Sequence, residues 1–174
     1  MKRAAVLCVL AFASANLVAQ EHWKLNTSKS DFGGEPVPQS EILTITKNTP
    51  DVYAWHLKGV DGRGKSYTES WSGKPDGTAA PLKGWRSGMA GFTRESETSM
   101  LSHEEWPEGA TDLRASLSDD KNTMTQDGTV RVKGGKESKV KLVWDRVLPP
   151  TKADKKAKKK KKKGKKGEAD EENS

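Results

Sequence analysis

The 174 residues predict an all-β chain, an antiparallel up-and-down meander that closes into a small barrel. Three observations predict it. Apolar and polar residues alternate with a period of two in one segment after another. Clusters of Gly, Pro, Asp and Asn separate these segments and favour tight turns. No window longer than about ten residues carries helical spacing. Many short strands at regular spacing suggest a sandwich or barrel, and a meander favours the up-and-down barrel. Closure also removes the exposed edges of an open sheet.

Glu41–Thr46, Asp51–Lys58 and Lys65–Trp71 read as the first three strands. Tyr53, Trp55 and Leu57 alternate with Val52, Ala54 and His56. Tyr67, Glu69 and Trp71 share a face, with Glu69 the misfit. Pro81–Gly91 reads as a loop that exposes Trp85. From Gly91 to Val147 about six further strands are expected. Pro107-Glu108-Gly109 ends Thr98–Trp106, and Leu113, Ala115 and Leu117 then alternate with Asp112, Arg114 and Ser116. Ser118-Asp119-Asp120 leads into Asn122–Gln126. Asp127-Gly128 predicts a type I′ hairpin between that segment and Thr129–Lys133. Gly134-Gly135 leads into the last strand, where Val140, Leu142 and Trp144 fall on one face.

The ends differ from this body. Lys2 and Arg3 precede an apolar run from Ala4 to Ala13, and small residues follow. That is the layout of a secretory signal peptide over residues 1–19, with cleavage after Ala15 or Ala19. The run is far short of the roughly 20 apolar residues that cross a bilayer. Cys8, the only cysteine, lies inside it, so the exported chain is expected to carry no disulfide, thiolate metal site or cysteine nucleophile. The body, residues 20–148, is nearly neutral at −1, because Lys2 and Arg3 carry +2 and residues 149–174 carry +6. There Lys152, Lys155, Lys156, Lys158, Lys159, Lys160, Lys161, Lys162, Lys163, Lys165 and Lys166 stand with no aromatic or β-branched residue from Lys152 onward. Such a segment is expected to be a disordered, solvated tail. Pro149-Pro150 marks its start, since proline cannot extend a strand ladder. Each lysine near an acidic surface contributes about 1 kcal/mol. About five together would give on the order of −5 kcal/mol, sub-millimolar affinity for membrane headgroups or an anionic cell-wall polymer.

Gly59-Val60-Asp61-Gly62-Arg63-Gly64-Lys65-Ser66 matches the phosphate-binding pattern G-x-x-x-x-G-K-[ST]. That pattern works only where a strand delivers the loop to a helix N-terminus, whose N–H groups cradle the phosphates. Here period-two alternation follows Ser66, and Gly73, Pro75 and Gly77 come soon after. No helix fits, so Asp61-Gly62 reads as a hairpin turn and no nucleotide is expected.

Trp23-Lys24-Leu25-Asn26 with Ser28-Lys29-Ser30-Asp31-Phe32 resembles the opening, broadly WKLN-x-x-KS-x-F, of a family of uncharacterised exported bacterial proteins. The turn Asp61–Lys65, the stretch Ser72–Gly77 with Pro81 and Gly84, and the closing segments Ser118–Thr125 and Val143–Val147 are similar to its middle and end. The resemblance spans about residues 21 to 148. It implies a small lipocalin-like barrel and export, and it transfers no catalytic residue or cofactor.

Candidate chemistry is sparse. His22, His56 and His103 have no compact ligand spacing, even with Glu104 or Glu105, so no metal site is predicted. No Gly-x-Ser-x-Gly elbow occurs. Glu69 between Tyr67 and Trp71 is the most informative acid: if its face is interior, desolvation should raise its pKa, unless it reaches water or an arginine at the rim. Trp71, Trp85, Tyr67 and Glu69 are the candidate lining of a barrel mouth for a small apolar or sugar-like ligand. The functional expectation is a secreted or periplasmic non-catalytic binding or envelope module held to an anionic surface by its tail. The alternatives are a small hydrolase with a carboxylate in the mouth, or a purely structural envelope protein.

Overall fold

The structure, a computed structural model, describes residues 20–148. Residues 1–19, read above as a signal peptide, and the lysine-rich residues 149–174 lie outside the described residues. Ten strands follow one another: β1 (Glu21–Leu25), β2 (Ser40–Asn48), β3 (Tyr53–Val60), β4 (Ser66–Gly73), β5 (Ala80–Gly84), β6 (Gly88–Arg94), β7 (Ser99–Trp106), β8 (Gly109–Leu117), β9 (Thr123–Val132) and β10 (Glu137–Arg146). Each pairs antiparallel with the next, and β1 pairs with both β2 and β10, which closes the barrel.

Alternation decides which side chains fill it. Trp23, Leu25, Leu43, Ile45, Trp55, Trp71, Leu82, Phe92, Met124 and Trp144 are buried in one cluster. Phe92 is its hub, with ring centroids 4.5 Å from Trp71, 5.5 Å from Tyr53 and 6.0 Å from Trp55. Such tilted and edge-on contacts suit the aromatic quadrupoles. The opposite positions carry Lys24, Lys58, Lys83, Asp112, Arg114, Asp127, Lys139 and Lys141. A barrel in lipid would need an apolar outward band instead. No helix among the described residues is long and apolar enough to cross a membrane.

The seam explains the opening segment. β1 is only five residues long, but the chain after it keeps following β10. Asn26 N donates to Val143 O at 2.7 Å, Val143 N donates to Ser30 Oγ at 2.9 Å, and Asp31 bridges to Lys141. Asn26 Nδ2 also donates to Asp145 Oδ2 at 2.7 Å, and Phe32 packs against the core. Asn26, Ser30 and Phe32 therefore finish a seam that a five-residue strand leaves short.

One sequence expectation fails here. Asp127-Gly128 does not turn; β9 runs straight through it, with Gly128 opposite both Leu113 and Val140. A Cβ on Gly128 would collide with the Asp112 carbonyl of β8. The glycine serves close strand approach rather than reversal. The two short strands expected there are one, while β1 and β5 are strands that the alternation did not reveal.

Candidate functional site

Three inward rows set out the end of the barrel beyond the aromatic hub. Across β2, β3 and β4, Ile45 faces Trp55 and Trp71, Leu43 faces Leu57 and Glu69, and Glu41 faces Gly59 and Tyr67. Trp71, Glu69 and Tyr67 thus stand at successive heights, from the core to the mouth. Gly59 is required in the outermost row: a Cβ there would collide with the Tyr67 ring. With no side chain in the way, Tyr67 lies across β3 and its hydroxyl donates to Glu41 Oε1.

Glu69 is 1% exposed and is held by Arg86, which follows β5. Arg86 Nε donates to Glu69 Oε1 at 2.9 Å and Nη2 to Oε2 at 2.7 Å. The same Nη2 lies 3.3 Å from Glu104 Oε2. The guanidinium carbon also lies 4.5 Å from the Trp106 ring centroid and 5.5 Å from that of Trp85, cation–π range. Burial opposes the charge on Arg86, but its bonds to Glu69 and the field of Glu104 and Glu41 hold its pKa above the ordinary value. Burial raises Glu104, only partly offset by Arg86. Burial likewise raises Glu41, offset in part by the Tyr67 hydroxyl. Tyr67 itself is pushed up by burial and by its bond to Glu41, so it remains a donor.

On the rim of this end Trp85 is 59% exposed. Its ring centroid is 4.7 Å from that of Tyr67, and its backbone N donates to Thr68 O at 2.8 Å. Lys65, Tyr67, Thr68 and Trp85, with Asp61 and Gly84, line a cleft of about 360 Å³. Tyr67 and Trp85 therefore meet at a surface a ligand can reach, and Glu69 lies beneath them. Trp71 does not join them: it is 2% exposed, and its indole N–H donates to Ala90 O at 2.9 Å. Arg86, Glu41 and Glu104 are the partners that sequence reasoning left out of the site. Their only signal is an arginine next to the exposed tryptophan and acids at inward positions of strands.

The phosphate-loop match spans the end of β3, a turn and the start of β4. The Arg63 and Lys65 N–H groups, which would face a phosphate, donate instead to Asp61 Oδ1 at 2.9 and 2.8 Å. The histidines sit apart on β1, β3 and β7. His22 Nδ1 meets Thr44 Oγ1 at 3.0 Å, and His103 Nδ1 meets Asp112 Oδ1 at 2.6 Å. No group of three or more His, Cys, Asp or Glu suited to a metal ion occurs among the described residues. No family model, curated protein or solved structure matches the chain.

Proposed function

We propose that the chain is a non-catalytic binding module of the cell exterior, with the rim cleft at Trp85 as its ligand site. The observation that carries this reading is an exposed tryptophan packed at a tilt against a tyrosine at the lip of a cleft of about 360 Å³. A large apolar ring left in water loses the transfer free energy of burial, and stacking against a flat apolar face recovers it. Sugar rings and small apolar molecules present such faces, and Lys65 and Thr68 supply polar contacts beside them. Arg86 supports the platform from below, because its pairing with Glu69 fixes the residue next to Trp85.

The same pairing argues against hydrolysis by Glu69. Both of its oxygens accept from Arg86, and Glu69 is only 1% exposed, so solvent water has little access to it. The resemblance of the opening segment to exported proteins supports the signal-peptide reading, and the lysines of residues 152–174 supply the attraction to an anionic polymer or headgroup surface.

Tryptophan fluorescence against a panel of oligosaccharides and lipids tests the cleft. A saturable change that Trp85→Ala abolishes is expected; a response unchanged in that variant rejects the site. Deletion of residues 152–174 should abolish salt-sensitive adsorption to anionic vesicles, and equal adsorption of the truncated protein rejects the tether.

A further inference from the structure

The opposite mouth of the barrel holds a second cavity, of about 50 Å³, with Arg94, Tyr53, Trp23, Met100, Leu117 and Met124 in its wall. We propose that it binds a small oxyanion carrying a short apolar group, such as a short-chain carboxylate, with Arg94 as the anchor. The space equals roughly four water positions, enough for a carboxylate and a few carbons.

The charge around the cavity is incomplete. Arg94 Nη2 donates to Asn48 Oδ1 at 2.6 Å and to Thr49 O at 3.3 Å, both neutral acceptors. Its Nε is covered and has no partner. Among the described residues no carboxylate forms an ion pair with it. Glu21, the acid within this mouth, is already held by Arg146 Nη2 at 2.7 Å. Glu95, at the neighbouring turn, accepts from Arg114 Nη2 at 3.0 Å and from Ser99. Glu97 stands exposed on the lip, where solvent screens it.

An unpaired guanidinium in a semi-enclosed site costs free energy that an incoming anion removes. A second donor in the wall lacks a partner: the Trp23 indole N–H, which is fully buried. The Tyr53 phenol also lines the cavity, and burial raises its pKa, so it stays protonated. Donors without acceptors select a ligand that only accepts. Met100, Leu117 and Met124 select one with an apolar end.

The test uses butyrate, with butyramide as neutral isostere and inorganic phosphate as an anion without an apolar end, followed by calorimetry and ligand-observed NMR. Saturable butyrate binding is expected, at least about tenfold tighter than either comparator. Arg94→Gln should weaken it at least about tenfold, while Trp85→Ala, at the other mouth, binds butyrate as the parent does. No saturable butyrate binding, equal binding of butyramide or phosphate, equal binding by a folded Arg94→Gln protein, or loss of binding in Trp85→Ala each overturns the proposal. If Arg94→Gln fails to fold, the comparison of butyrate with butyramide on the parent protein decides alone.

Discussion

The two mouths of the barrel hold charge in opposite proportions. At one, a single guanidinium, Arg86, stands among three inward carboxylates, Glu41, Glu69 and Glu104. At the other, Arg146 holds Glu21, and Arg94 forms no ion pair among the described residues. The surplus at the first mouth is settled within the protein, because burial lets Glu41 and Glu104 keep protons more readily than free carboxylates do. Arginine has no such escape, since its guanidinium stays charged at any ordinary pH. A surplus of buried acid can therefore neutralise itself, whereas a surplus of buried arginine waits for a counter-ion. The first mouth uses its charges to hold a loop, and the second has one to spare.

Substitutions that separate the two roles follow, the largest effect first. Glu69→Ala removes the bidentate partner of the partly buried Arg86 and leaves it only Glu104 at 3.3 Å, and should cost about 3 kcal/mol in denaturant unfolding. A loss under about 1 kcal/mol would show that the pair does not hold the first mouth. Gly59→Ala drives a methyl into Tyr67 and separates it from Glu41, at about 1–3 kcal/mol. Tyrosine fluorescence or NMR shifts unchanged at Tyr67 would contradict that geometry. Arg94→Met removes a cation with only neutral acceptors and should cost about 1 kcal/mol or less, the value of its hydrogen bonds. A loss comparable with that of Glu69→Ala would make the two arginines equivalent and collapse the distinction.

The gentlest probe is pH. Glu41 and Glu104 have folded pKa values raised above the ordinary carboxylate value of 4.5, so the folded state binds their protons more tightly. Their contribution to stability is full below that value and is lost as pH rises through the folded pKa values. The melting temperature should thus rise as pH falls from neutral toward about 5, with a shallower slope in Glu104→Gln. Asp76 and Asp120, lowered by hydrogen bonds within their turns, act only at more acid pH. A flat profile would remove the proton-buffered account of the first mouth.

Strands whose two faces differ in polarity were legible in the sequence. β8 and β10 carry Leu113, Ala115 and Leu117, and Val140, Leu142 and Trp144, on one side, and the pattern needs no other information. Asp127-Gly128 misled because local turn propensity and the demand of a neighbouring strand select the same residue, and only the fold shows that the Asp112 carbonyl is what excludes a side chain. β5 was hidden for another reason. It pairs with β4 at only two positions and contains a proline, so its sequence carries little periodic signal. Of the rim residues, Glu69 betrayed itself as an acid on an apolar face. Its partner Arg86 lies 17 residues away in the turn between β5 and β6, and nothing local ties the two together. Arg94 gives no sign at all in the sequence, because what distinguishes it is that no carboxylate among the described residues pairs with it.

The seam also fixes an orientation. Glu21 begins β1 where Arg146 ends β10, and Val147 N donates to His22 O at 2.7 Å, so the polypeptide enters and leaves the barrel side by side beneath the Arg94 mouth. Trp85 stands at the other end of the barrel, so its cleft and the Arg94 cavity are separated by the full depth of the aromatic core, and only the cavity neighbours both ends of the described chain.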